Sequence, residues 1–146
     1  MGSRPLLQLL RMQIKEISNI GNFGLLVLTW MVQLIVYPGF QYFNAENLNR
    51  WHQAYTPAIS VIVIPLMFGQ LFLTGYQLFK TPDFVTIGIF LLVVAVWTIT
   101  FIRAVPLHNQ IATGTDTENA IQSLLSTHWY RTVIWTLIFI LGLFGK

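Results

Sequence analysis

The side chains best equipped for chemistry in this chain are three histidines, His52, His108 and His128, and three arginines, Arg50, Arg103 and Arg131. All six fall in two polar connections or at the ends of apolar stretches beside them. Imidazole can act as a general acid or base near neutral pH, or bind a metal when neutral. Guanidinium offers a planar fork to carboxylate, phosphate or carbonyl oxygen. On a helix, His128 and Arg131 share a face with Leu124 and Trp135, while His52 shares one with Tyr55, Ile59, Leu66 and Gln70. The candidate ligand-contacting set is therefore His52, Tyr55, Arg103, His108, His128, Arg131 and Trp135.

Three uses of such a set compete. A metal site would draw on His52, His108 and His128, with nearby acids orienting the imidazoles. Against it, no single helix carries His-x-x-His or Glu-x-x-His, and three arginines repel a cation. An anionic or quinone-like ligand suits arginine and histidine beside Trp51, Trp129 and Tyr55 better, since each polar group can donate to oxygen. In an enzyme of this kind His108 or His128 would serve as general base, and Arg131 would stabilise an enolate-type oxygen. The third use is interfacial: Tyr37, Tyr42, Tyr55, Trp51, Trp129 and Tyr130 stand where an aromatic belt belongs, with histidine and arginine on headgroups or helix ends. Metal, haem and quinone all remain open as cofactors, none marked by a specific motif. Phosphate-binding glycine loops and the hydrolase Gly-x-Ser-x-Gly pattern are missing, and the lack of cysteine excludes thiolate chemistry.

The elements that must position these groups are four apolar stretches, about 19–38, 57–79, 83–105 and 126–145. Of the 146 residues, 55% are hydrophobic and 9% charged, and the mean hydropathy is +0.64. Soluble domains carry about 25% charged residues. Runs such as "VIVIPLMFGQLFL" are apolar all round rather than on one stripe, the pattern of a helix buried on every side. The middle two stretches reach the ~20 residues that cross a bilayer; the outer two draw on their flanks. The expected fold is all-α: a polytopic up-down bundle of four transmembrane helices in one domain, with helices 2 and 4 extended on the non-cytoplasmic side. The first stretch runs into "VYPGFQYF" with no small-residue cleavage site, so it is expected to stay as a span.

Local signals refine the ends. Thr115 and Glu118 have capping-box spacing, and a fourth helix over 117–144 would be about 42 Å long. Asn44 is expected to cap a helix starting at Ala45, with kinks at Pro57 and Pro65. Pro82 and Asp83 read as the first turn of the third helix, and Pro106 as its kink or end. Gln33 and Gln70 are expected to hydrogen-bond between helices.

Four crossings leave Arg4, Arg11, Lys15, Lys80 and Lys146 on the side of the termini, against Arg50, Arg103 and Arg131 opposite. Five of the eight Lys and Arg on one side place both termini in the cytoplasm. The basic residues then meet anionic lipid rather than nucleic acid. Besides the bilayer, a homo-oligomer or a larger membrane complex is a potential partner, with Gly21, Gly24 and Gly88 available for close helix contacts. No inverted repeat or deep charge supports a transporter.

The stretch "FIRAVPLHNQIATGTDTENAIQSLLSTHWYRTVIWT" resembles a group of uncharacterised bacterial four-helix integral membrane proteins. Its marks are Val105, Pro106 and His108, then Trp129, Arg131, Thr132 and Trp135; "VYPGF", His52 and "VIVIPLMFGQ" extend the likeness over nearly the whole chain. Members often carry Glu near the position of Gln70. A more distant likeness is to anthrone-oxygenase-like membrane proteins. The first resemblance implies a bacterial inner-membrane protein; the second implies an oxidoreductase or oxygenase acting on an aromatic, lipid-soluble substrate. Three functions are thus carried forward: a binding or accessory protein with an outward His/Arg/Trp pocket, that membrane oxygenase, and a structural subunit of a larger complex.

Overall fold

A computed structural model describes residues 3–144, all helical apart from short turns. The first helix, α1 (Ser3–Met31), continues through a π turn (Val32–Val36) into a single turn, α2 (Tyr37–Gly39), and a 3-10 turn (Phe40–Tyr42). Next come α3 (Ala45–Lys80), α4 (Phe84–Ile99), a second π turn (Thr100–Ala104), α5 (Val105–Thr113) and α6 (Thr117–Phe144). These form four rods, each long and apolar enough to cross a membrane.

Neighbouring rods run antiparallel, as their contacts record. Phe23 meets Phe139 while Trp30 bonds Thr136, Gln70 meets Asn22, and Phe68 stacks on Trp97. α1 and α4 each pack against both α3 and α6, giving the order α1, α3, α4, α6 around the bundle. α1 and α6 come close at Gly142, where a Cβ would stand 2.7 Å from Asn19 Oδ1.

Burial departs from the pattern of a water-soluble bundle, although apolar residues such as Leu25, Val93 and Ile138 still make up most of the core. Phe72, Phe79, Phe84, Val61 and Ile35 are among the most exposed side chains, whereas Asn22, Thr29, Gln70, His52, His128 and Arg131 are buried. Apolar side chains outside and polar contacts among the buried groups form the arrangement expected of helices associating in lipid, where hydrocarbon contacts alone give no preference for the interior.

The expected helix ends stand in part. Asn44 Oδ1 accepts the amide of Asn47 at 2.9 Å, so the cap preceding Ala45 is present, and α6 covers 117–144. α3 runs through Pro57 and Pro65 without interruption. Asp83, however, is the N-cap of α4, accepting from the Thr86 amide at 2.7 Å, and Pro82 lies outside the helix. A carboxylate there satisfies a free amide, which proline cannot do. The Thr115 hydroxyl bonds Thr113 rather than closing a box with Glu118, because Asp116, at φ 49°, makes the turn and its carbonyl receives the Ala120 amide.

Pro106 does not end its helix. The π turn before it lets the Val105 amide reach back to the Thr100 carbonyl, and helix continues to Thr113. The same device precedes Pro38, where the Tyr37 amide bonds the Val32 carbonyl. Each widened turn takes up the residue that proline's missing donor and bulky ring would leave in conflict. α1 and α4 are thereby prolonged at the same end as α3 and α6, and all four rods extend beyond the apolar stretches there. α1 also begins far upstream of residue 19, adding helix at the opposite end.

Candidate functional site

Above the middle of the bundle, at the end carrying the two π turns, the four rods enclose a polar cluster. His52 Nε2 and His108 Nδ1 face each other at 2.9 Å, and His108 Nε2 meets the Tyr37 hydroxyl at 3.0 Å. The Tyr37 ring lies edge-on to His128, centroids 4.8 Å apart, and its phenol is close enough to the Arg131 guanidinium for the two to interact. The three histidines therefore converge, with Tyr37 as the hinge between the His52–His108 pair and the His128–Arg131 pair.

Hydrogen-bonding logic fixes one half of this network. Arg131 Nη1 can only donate, so at 3.4 Å His128 Nδ1 accepts and its proton resides on Nε2. Nε2–H then donates to the Thr29 carbonyl at 3.2 Å, with Thr29 Oγ1 at 3.3 Å as a second acceptor. Thr132 donates to the His128 carbonyl at 3.0 Å, which leaves its oxygen to accept from the Thr29 hydroxyl at 3.1 Å. His128 is thus a neutral imidazole of one defined tautomer, oriented by two helices. The His52–His108–Tyr37 line is less constrained: it ends on the hydroxyls of Thr56 and Tyr37, each able to donate or accept, so the line can run in both directions.

Below the cluster lies a cavity of about 320 Å³. Its upper wall is Tyr37, Tyr55, His108, His128 and Arg131; lower down it is lined by Leu25, Val63, Met67, Trp97 and Trp135. It exists because α3 and the second π turn face each other with small side chains, Thr56, Ser60, Thr100 and Ala104. Ile64, Phe68, Phe101 and Val105 line it as well and are exposed, so the cavity opens sideways between α3 and α4–α5. From the end of the bundle it is roofed by packed Phe40, Leu48, Ile111 and Leu124. The mouth is on the flank, amid apolar side chains.

Arg131 is the one arginine of the three inside this site. It is 7% exposed, its guanidinium lies 4.9 Å from the Trp135 ring centroid, and its Nε–H has no partner among the described residues. The Trp97 indole N–H, also on the cavity, is unpartnered too. From Trp135 a buried chain of hydrogen bonds continues away from the site: indole N–H to Gln70 Oε1 at 3.2 Å, then Gln70 Nε2 to Asn22 Oδ1 at 2.8 Å. Gln70 thus bridges three helices; Gln33 is buried, but its Oε1 has no partner.

Of the residues singled out from sequence, His108, His128, Arg131, Tyr55 and Trp135 line the cavity, and His52 backs it through His108. Arg103 is exposed and lies outside the lining, and Arg50 pairs with Glu46 at 3.9 Å on the surface. Among the described residues, no three His, Cys, Asp or Glu gather as a metal-binding group. Sequence reasoning missed Tyr37, assigned to the aromatic belt, and Thr29, and had Thr132 only as a mark of the family resemblance. The available signal was the pair of X-Pro steps, Tyr37-Pro38 and Val105-Pro106, which mark both π turns. Neither a family model nor a curated protein nor a solved structure matches this chain.

Proposed function

We propose that this is a small integral membrane protein that binds a lipid-soluble ligand with an oxygen-bearing head, quinone-like or anionic, in the cavity under the His/Arg/Tyr cluster. The observation that carries the reading is the combination of a buried Arg131 with an unpartnered Nε–H and a mouth that opens on the apolar flank. A buried donor without an acceptor costs about 1–3 kcal/mol, which a ligand oxygen would recover. A ligand dissolved in water would have to pass the packed roof of Phe40, Leu48, Ile111 and Leu124; one dissolved in lipid enters between α3 and α4–α5. In this reading the protein sits in a bacterial inner membrane with both termini cytoplasmic, as the distribution of Lys and Arg and the resemblance to bacterial four-helix membrane proteins suggest.

The enzyme reading, a membrane oxygenase or oxidoreductase, draws support from a different feature. The Tyr37–His108–His52 line can exchange protons in either direction, which suits a general base acting on a ligand held by Arg131. Binding is the simpler conclusion because it requires only what the cavity offers.

The test is quenching of tryptophan fluorescence by a decyl-substituted benzoquinone in lipid nanodiscs, since Trp97 and Trp135 border the cavity. Saturable quenching that weakens in His108→Ala and Arg131→Ala, but not in Arg103→Ala, supports the reading. A response identical in all four proteins for the quinone and for a long-chain fatty acid alike, or saturable binding of no oxygen-headed lipid at all, refutes it.

A further inference from the structure

Among the described residues, Arg131 is a buried cation without a buried anion. The chain has five acidic residues, Glu16, Glu46, Asp83, Asp116 and Glu118, and none of them lines the cavity. Glu46, Asp116 and Glu118 are exposed on the extended helix ends, and Glu118 is 13 residues, about 20 Å, up the same helix from Arg131. Glu16 and Asp83 belong to the opposite end of the bundle, where Asp83 borders a separate pocket with Arg11 and Lys80. Every group around the guanidinium is neutral or a donor: the Tyr37 and Tyr55 phenols, the His128 imidazole and the Trp135 ring.

A charge removed from water is tolerated when it is paired, and an uncompensated buried ion is among the most costly features a fold can contain. The cluster meets the guanidinium with His128 Nδ1 at 3.4 Å and the Tyr37 phenol, but it supplies no countercharge. Among the described residues, the two buried polar atoms of the cavity lining that lack a hydrogen-bond partner are both donors, Arg131 Nε–H and the Trp97 indole N–H. A quinone carbonyl would satisfy a donor and leave the charge unpaired.

We infer that the ligand is a lipophilic organic acid held as its conjugate base, a carboxylate or an enolate-type oxygen on Arg131, with its hydrocarbon part in the lower cavity and at the flank between α3 and α4–α5. This rests on the cavity being a ligand site, and it narrows the head from any oxygen acceptor to an anion. A carboxylate brings the missing charge together with an acceptor for the Arg131 Nε–H, and small side chains Thr56, Ser60, Thr100 and Ala104 leave the passage through which a chain extends.

The discriminating experiment uses matched ligands that differ only at the head: a brominated stearic acid, its alcohol and its methyl ester, with decyl-benzoquinone as a neutral acceptor. Bromine quenches nearby tryptophan, so titration of the full-length protein in nanodiscs, with empty-nanodisc partitioning subtracted, reads occupancy beside Trp97 and Trp135. The acid is expected to bind more than about tenfold tighter than the alcohol or ester, a gap that Arg131→Met abolishes and Arg131→Lys partly keeps. Equal affinity for acid, alcohol, ester and quinone overturns the anion assignment while leaving the lipid-soluble ligand in place. Saturable binding of none of them overturns both. Because the head-group comparison is made on the wild-type protein, it decides the matter even if Arg131→Met does not fold.

Discussion

Replacing Gln70 with leucine isolates the energetics of the buried chain that supports the site from below. Gln70 is 4% exposed and holds two groups as deeply placed as itself, the Trp135 indole N–H at 3.2 Å and Asn22 Oδ1 at 2.8 Å. Leucine has nearly the same volume, so no cavity term enters. Two interhelical hydrogen bonds disappear, each worth about 0.6 kcal/mol on average and up to about 1.7 in a membrane. Two buried polar atoms are left unsatisfied, and the combined loss is expected at about 2–4 kcal/mol. Reversible unfolding by SDS titration in mixed micelles, followed by far-UV circular dichroism, measures it. The triple variant Asn22→Leu, Gln70→Leu and Trp135→Phe removes every partner at once and is expected to be more stable than the sum of its three single changes predicts. Gln70→Glu, protonated in the interior, retains one donor and one acceptor and is expected to lose less than Gln70→Leu. A Gln70→Leu loss under about 0.5 kcal/mol, or strict additivity in the triple variant, would show that these contacts do not hold the helices together.

The two arginines that sequence analysis treated alike should separate: Arg103→Ala leaves thermal stability and ligand quenching unchanged to within about 0.5 kcal/mol, while Arg131→Ala alters both, as a melting curve and a quenching titration report. At the α1–α6 approach, Gly142→Val presses a branched side chain on Asn19, whose Oδ1 stands 2.7 Å from the position of a new Cβ; a loss of about 1–3 kcal/mol is expected in the same unfolding titration, and Gly142→Ala should cost less. Asn44→Ala removes the oxygen that accepts the Asn47 amide and should cost about 1 kcal/mol, visible as faster amide exchange over the first turn of α3 by mass spectrometry. His108→Phe keeps a ring under Tyr37 but breaks both the Tyr37 and His52 bonds; nitrogen NMR of labelled histidine is expected to show a changed His52 tautomer signal and an unchanged His128.

Much of the scaffold is legible from local chemistry, because the signals are local. Asn44 followed by Glu46 marks a helix start, and the structure begins α3 at Ala45. Gly114, with Asp116 beyond it, separates two helical segments, and the chain turns there with both residues at positive φ. Apolar composition on every face of the middle stretches implies that large hydrophobic side chains end up exposed, and Phe72, Phe79 and Phe84 are. Cap errors of one or two residues, such as Pro82 against Asp83, arise where proline and a carboxylate both favour a helix start and only hydrogen bonding separates them.

The site is another matter. The sequence by itself determines that His52, His108, His128 and Arg131 occupy one end of four apolar rods, and that His128 and Arg131 share a helix face, since spacing along a rod needs nothing but the helix repeat. Whether those rods turn the groups toward one another is decided by rotation about each axis. A π turn adds a residue to one turn and so rotates all that follows by about 100°, a shift no periodicity count contains. Two such turns swing Tyr37 into the centre and bring His108 between it and His52, while Arg103, inside the second, is left facing out. Convergence of the histidines, the tautomer of His128 and the missing countercharge of Arg131 therefore belong to the tertiary structure, because each depends on which groups from other helices stand opposite.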